Sequence, residues 1–340
     1  MANMKDIARI AGVSLGTVSH VLNKSAHVRE ELRSRVLKAV DAVGYQPSQL
    51  ARGLRRDKTN VIGMVIPDIT NPFFPAIVRG AEDIAFAGGY RLILCNTDND
   101  HEKELAHLNE LRTYLPSGLI VIPSTFSDLT AQVESYQRAG AQVVCVDRLP
   151  RKWVGDSVTA NNKDGAVQAT RHLIAMGHRR IAMIVGPLNL TNARDRLNGF
   201  KLALREAKIP LDEGYVQETS FDKQGGFEKA QVLLRLAKRP TAIFAGNDMI
   251  ALGALRAIRE AGLRCPEDVS LMGFDDLDLA EVTAPALSTV SQSGYELGST
   301  AAGLLIERLK NKRLKVRHIV LKTELKLRDS VAEPVARKTR

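Results

Sequence analysis

The stretch DIARIAGVSLGTVSHVLN, residues 6–23, decides how the first part of the chain folds. Ile7, Ala8 and Ala11 share one helical face, and Val18, Val21 and Leu22 share another, so two short amphipathic helices are predicted. Neither stripe can be buried alone. Between them Gly12 allows the positive φ of a sharp turn, and the Ser14 hydroxyl can cap the free N–H groups of the second helix. The pair reads as a helix-turn-helix, whose second helix can enter a DNA major groove. Gly12, Val13, Ser14, Leu15 and Gly16 also satisfy the G-x-S-x-G pattern of a serine hydrolase. That elbow follows a buried strand, whereas the residues before Gly12 have helical spacing, so Ser14 is read as a cap.

In VREELRSRVLKAVDAVGY, residues 28–45, Val28, Leu32, Val36 and Val40 recur at helical spacing and Gly44 ends the pattern. A third helix completes a small bundle. PSQLARGLRRDKTN follows as a linker, in which Pro47 and Ser48 can start a short helix that Gly53 weakens. From Asn60 the texture changes. The apolar runs VIGMVIP, RLILCN, GLIVIPS and QVVCVD, then RIAMIVG, TAIFAGN and VSLMGFD, are each followed by residues of helical spacing. Such alternation predicts an α/β body of parallel sheets covered on both faces, in two doubly wound lobes. Ligands of such sheets bind beyond the carboxyl ends of the strands, which makes the polar residues after each run the candidates for a site.

With 340 residues, 44% of them hydrophobic, the chain can bury more than one core. MANMKDIARI enters an amphipathic helix directly, without an apolar leader, and no run can span a membrane, so a cytoplasmic protein is expected. Cys95, Cys145 and Cys265 are odd in number and far apart, which fits buried thiols better than disulfides or a zinc site. The formal charge of +10 is uneven: residues 1–58 carry +6, residues 307–340 carry +8, and the long middle carries −4. A basic head on a mildly acidic body suits a phosphate-binding module joined to a sensor; the basic tail reads as solvated surface. The body has no P-loop, no G-x-G-x-x-G and no H-E-x-x-H, so neither an enzyme nor a cofactor or metal is expected.

MKDIARIAGVSLGTVSHVLN, YQPSQLARGLRR, NPFF, GHRRIAMIVGP, PTAIFAGNDMIALGALRA and DVSLMGFDD together resemble the lactose/galactose repressor (LacI/GalR) family of bacterial transcription regulators, nearly end to end. The resemblance implies a helix-turn-helix headpiece over residues 1–46, a hinge helix or linker over 47–58, and an effector-binding and dimerisation body over 59–340. That body resembles type I periplasmic sugar-binding proteins. Its first lobe would span about 59–158 plus 290–322, and its second about 159–289 plus 323–335.

In the headpiece the resemblance places Leu15, Gly16 and His20 against base edges. Leu15 can touch a thymine methyl, Gly16 offers backbone, and His20 can hydrogen-bond a purine edge. Ser14, Thr17, Ser19, Asn23 and Tyr45 are cast as phosphate contacts. Leu54, with Ala51 beside it, matches a leucine that in relatives wedges into the minor groove. Two such helices meeting across a dyad imply a homodimer on a near-palindromic duplex operator.

In the body the resemblance brings Asn71, Phe73, Phe74, Asp147, Arg148, Arg196, Phe221, Asn247, Asp275 and Gln292 to ligand positions, most like those of ribose-type binders. The chemistry agrees: phenylalanines offer flat surfaces to the C–H faces of a sugar, and the polar groups match hydroxyls that both donate and accept. Ala160 departs from the pattern, standing where many relatives carry an aspartate. The implied function is a repressor governed by a small molecule, with a ribose-like monosaccharide first and a purine, nucleoside or sugar phosphate as the alternative. A sugar-transport protein would need a leader and no basic head. An enzyme would need a nucleophile beside Asp147 or Asp275.

Overall fold

The computed structural model describes residues 3–23, 27–44, 59–125 and 127–334. The chain divides after Thr59 into a small helical unit and a large α/β unit. The small unit holds α1 (Met4–Ala11), α2 (Leu15–Asn23) and α3 (Glu30–Ala42). Asn3 and Asp6 cap α1 reciprocally, each side chain accepting from the other's amide. Gly12 closes the helix at φ 60°, and a Cβ there would stand 2.6 Å from Nη2 of Arg35. That guanidinium donates to the Ala11 carbonyl at 2.6 Å, fastening the end of α1 to α3. Ser14 Oγ accepts from the Thr17 amide at 3.1 Å, which is the cap expected from the sequence. Ile7, Ala11, Val18, Val21, Val36 and Ala39 form the core. Val28 lies outside the third helix, correcting the predicted start; α3 opens at Glu30, and Glu30 and Glu31 fill the first turn, where carboxylates meet the positive end of the helix dipole.

The large unit runs β1 (Val61–Ile66), α4 (Phe73–Ala87), β2 (Arg91–Asn96), α5 (His101–Leu111), β3 (Gly118–Val121), α6 (Thr130–Arg138), β4 (Gln142–Val146), β5 (Asp156–Ala160) and α7 (Asn162–Ala175). It continues through β6 (Ile181–Val185), α8 (Thr191–Glu206), β7 (Val216–Glu218), α9 (Lys223–Leu234), β8 (Ala242–Ala245), α10 (Asp248–Glu260) and β9 (Ser270–Met272). It closes with α11 (Leu279–Val282), β10 (Thr289–Ser291), α12 (Gly294–Lys310), β11 (His318–Leu321) and β12 (Glu324–Lys326).

A six-stranded parallel sheet in the order β11-β5-β4-β3-β1-β2 builds the first lobe, and a four-stranded parallel sheet, β7-β6-β8-β9, builds the second. Each sheet is covered on both faces. In the first, Ile62, Met64 and Ile66 pack towards α4 and α12, while Val65, Leu119 and Val121 pack with Leu108 and Leu111 of α5 and Tyr136 of α6. Each fully buried aliphatic side chain of this kind contributes roughly 1.5–3 kcal/mol. All seven apolar runs became strands. Strand β5, DSVTA, went unpredicted because it has no apolar run, and β7 is only three residues long.

The chain passes between the lobes three times: from β5 into α7, from β10 into α12, and from β11 into β12. Strands β10 and β12 pair antiparallel, outside both large sheets. The cysteine reading needs correction, because Cys145 alone is buried and Cys95 and Cys265 are half-exposed. Cys95 lies on β2, an edge strand with a partner on one side only. Among the described residues, no helix is long and apolar enough to cross a membrane.

Candidate functional site

All ten of the body residues singled out from the sequence line one small chamber, together with Asn192. They arrive from strand ends. Asn71 lies between β1 and α4, and its Oδ1 accepts from the Phe73 amide at 3.1 Å, fixing the turn that brings both phenylalanines into the first turn of α4. The rings of Phe73 and Phe74 meet edge-on, 5.5 Å apart. Phe221 follows β7, and its ring occupies the space that a side chain at Gly186 would need: a Cβ there would lie 2.2 Å from the ring. Only glycine after β6 permits this placement.

Asp147 and Arg148 follow β4, with Asp147 in the left-handed region at φ 61°. Asp147 Oδ2 accepts from Asn192 Nδ2 at 3.1 Å, across the cleft. Arg148 Nη1 reaches the Pro123 carbonyl at 3.4 Å, and its guanidinium lies 5.4 Å from the Phe74 centroid and 5.7 Å from that of Phe221. Arg196, on α8, donates from Nε to Asn162 Oδ1 at 2.8 Å and from Nη1 to the Gly246 carbonyl at 2.5 Å. Its guanidinium stacks 3.8 Å over the Phe274 ring and stands 3.5 Å from Asp275 Oδ1. Asp275, at φ 116° after β9, accepts from Gln292 Nε2 at 2.7 Å. Asn247 caps α10, its Oδ1 accepting from the Ile250 amide at 2.8 Å. Its Nδ2 reaches the Phe221 carbonyl at 3.5 Å, so the amide ties the start of α10 to the segment that carries the Phe221 ring.

Among the described residues, seven buried side-chain polar atoms lack a hydrogen-bond partner, and three of them, Asp147 Oδ1, Arg148 Nε and Gln292 Oε1, belong to this chamber. A buried polar group without a partner costs about 1–3 kcal/mol. Three within one cavity mark a surface made to meet a polar molecule. Towards solvent the cleft widens past Ser124, Asn189 and Ser220, with Asn71, Phe74, Arg148 and Phe221 shared between the inner and outer spaces.

Electrostatics add a residue that the sequence reading missed. Asp248, fully buried beneath the chamber at the start of α10, accepts from the Leu277 amide at 2.8 Å and from Thr289 Oγ1 at 2.6 Å. Burial, reinforced by the charge of Asp275, pushes its carboxyl up to about 8. Burial likewise raises Asp275 to about 7 and Asp147 above its ordinary range, against the pull of Arg196 and Arg148. Three carboxyls thus face two guanidiniums. Asn192 was also missed, although it directly follows Thr191 in TNARDRL; nothing in residue type separates it from any exposed helical asparagine.

In the small unit, Leu15 (43% exposed), Gly16 and His20 lie on the outer face of α2. Ser14 and Thr17 share a hydroxyl contact of 3.0 Å, and Ser19 is half-buried. Leu15 takes no part in the core of the helical unit. Tyr45, Ala51 and Leu54 lie outside the described residues, as does the side chain of Asn23.

Residues 3–48 match the model for bacterial regulatory proteins of the lacI family, and residues 170–331 match that for a periplasmic binding protein-like domain. The chain is 38% identical to the HTH-type transcriptional repressor PurR of Vibrio atlanticus (strain LGP32), over 97% of this chain and 99% of that protein. Among solved structures, the lac repressor dimer bound to operator and the anti-inducer ONPF superposes with a TM-score of 0.86 at 28% identity, covering 97% of this chain and 99% of the other. A LacI family transcriptional regulator from Enterococcus faecium with bound ribose superposes with a TM-score of 0.72 at 35% identity, covering 80% and 99%.

Proposed function

This chain belongs to the lacI family of bacterial regulatory proteins, as a DNA-binding transcriptional repressor with a small-molecule effector domain, and we propose that its effector is an unphosphorylated, ribose-like monosaccharide. The chamber's three buried atoms without a hydrogen bond carry this reading, although Arg148 Nε stands 3.5 Å from Asp147 Oδ2. Asp147 Oδ1 and Gln292 Oε1 are acceptors, and Arg148 Nε is a donor. Hydroxyl groups, which both donate and accept, satisfy such a mixed set. The phenylalanine rings supply apolar faces for the ring carbons. Arg148 and Arg196 are already met by the carboxyls of Asp147 and Asp275, so no uncommitted cation awaits a phosphate dianion, whose burial would be costly. The relative with bound ribose supports the same class.

The protein acts in the cytoplasm as a homodimer on a near-palindromic operator. Leu15, Gly16 and His20 meet base edges, Ser14, Thr17, Ser19, Asn23 and Tyr45 meet phosphates, and Ala51 and Leu54 meet the minor groove. The ligand shifts operator affinity by its differential affinity for two lobe arrangements. A purine is the second reading, favoured by three phenylalanines able to stack on a base and by relatives named PurR. Calorimetry with ribose, ribose 5-phosphate and hypoxanthine separates the readings. Heat from ribose alone supports the sugar; heat from hypoxanthine or the phosphate, with none from ribose, overturns it.

A further inference from the structure

Arg196 is gripped almost wholly from within the second lobe, by the Gly246 carbonyl, the Phe274 ring and Asp275. Its remaining hydrogen bond is different in kind. Nε donates to Oδ1 of Asn162, the first residue of α7, and Nδ2 of that same amide donates to the Ala160 carbonyl at 3.2 Å. Ala160 ends β5 in the sheet of the first lobe, in register with Leu321 of β11, and the next amide, Asn161 N, donates to the Leu321 carbonyl at 2.9 Å. Asn162 therefore stands on one of the three passages between the lobes, with one end of its amide on the last residue of β5 and the other on Arg196. Both residues are buried, so neither hydrogen bond exchanges readily for a solvent partner.

We infer that Asn162 is the positioning residue that couples the β5-to-α7 passage to Arg196, so that the lobe angle sets the direction of the guanidinium and a ligand on Arg196 biases the lobe angle. The inference rests on the reading of the chamber as the effector site. Coupling of this kind is reciprocal: what shifts Arg196 on hinge motion shifts the hinge on ligation. The sequence carried no sign of it, because Asn161 and Asn162 are alike as residues. The structure separates them: Asn161 accepts from the Asp164 amide as the cap of α7, while Asn162 turns inward.

Two variants divide the amide's functions. Asn162→Ala removes both bonds. Asn162→Asp, of the same size, keeps the acceptor for Arg196 and loses the donor to Ala160. The readouts are ribose affinity by calorimetry, the ratio of operator affinities with and without saturating ribose, and exchange protection of the Arg196 Nε–H by NMR in the ligand-free protein. Asn162→Ala is expected to bind ribose about tenfold more weakly, the scale of one hydrogen bond to a charged group, and to lose Nε–H protection. Asn162→Asp is expected to keep the Nε–H signal, its carboxyl oxygen still accepting from Arg196, while the operator ratio falls towards one. A wild-type ratio in Asn162→Asp overturns the coupling, and an unchanged Nε–H signal in Asn162→Ala overturns the anchor. If Asn162→Ala fails to fold, the isosteric aspartate decides alone. No ribose heat from the wild type removes the sugar reading, while the Nε–H signal still tests the anchor.

Discussion

Replacing Arg196 with alanine removes the guanidinium on which the chamber's charge balance turns. The variant loses two hydrogen bonds, leaves Asn162 Oδ1 and the Gly246 carbonyl without that donor, uncovers the Phe274 ring, and deprives Asp275 of its nearest cation, 3.5 Å away. Breaking a buried ion pair by removing one partner costs about 3–5 kcal/mol. Here the lower figure applies. Asp275 already titrates at about 7, so it takes up a proton instead of remaining buried as an unpaired anion. Against a total stability of about 5–15 kcal/mol the variant stays folded. Hydrogen bonds to a charged group are worth about 1.5–3 kcal/mol each, and 1.4 kcal/mol is a factor of ten. Ribose affinity should accordingly fall by at least about tenfold for one lost bond, and on the order of a hundredfold for two. Urea unfolding gives the first quantity and calorimetry the second, with operator binding as the control for an intact headpiece. A folded Arg196→Ala protein that binds ribose within about threefold of wild type refutes the assignment of that guanidinium to the ligand.

Three further outcomes are expected. Because the Asp248 carboxyl is raised from an ordinary 3.8 to about 8, its stability contribution is full below about 4 and is lost as pH rises through about 8; Asp248→Asn should show a smaller fall in urea midpoint between pH 6 and pH 9 than wild type, and equal falls refute it. His178, buried between Thr241 Oγ1 and the Ala332 carbonyl at 2.9 Å each, is lowered from 6.5 by burial, so the stability of its neutral form is lost as pH falls below 6.5; melting temperatures between pH 7 and pH 5 should drop less in His178→Gln. The net charge of +6 over residues 1–58 predicts operator affinity that falls steeply with salt in a logarithmic plot, and a flat plot counts against phosphate contacts there.

Residues 6–23 determined the headpiece from sequence alone, because a 3.6-residue stripe, a glycine turn and a serine cap are local properties that the backbone obeys wherever they occur. The strands of the body were legible for a similar reason: a strand buried on both faces must be apolar throughout, as VIGMVI and RIAMIV are. Strand β5 escaped because Asp156 stands within it, buried and paired with Arg308 from far along the chain. The ten chamber residues were legible through resemblance to a family, not through their spacing. What each of them does was decided by tertiary structure. Asn247 spends its oxygen on a helix cap and Asn162 turns inward to Arg196, while three carboxyls meet two guanidiniums only after Asp248 folds beneath Asp275. Pairing, burial and the resulting charge states depend on distances between residues tens to more than a hundred positions apart, and such distances exist only once the two sheets are packed.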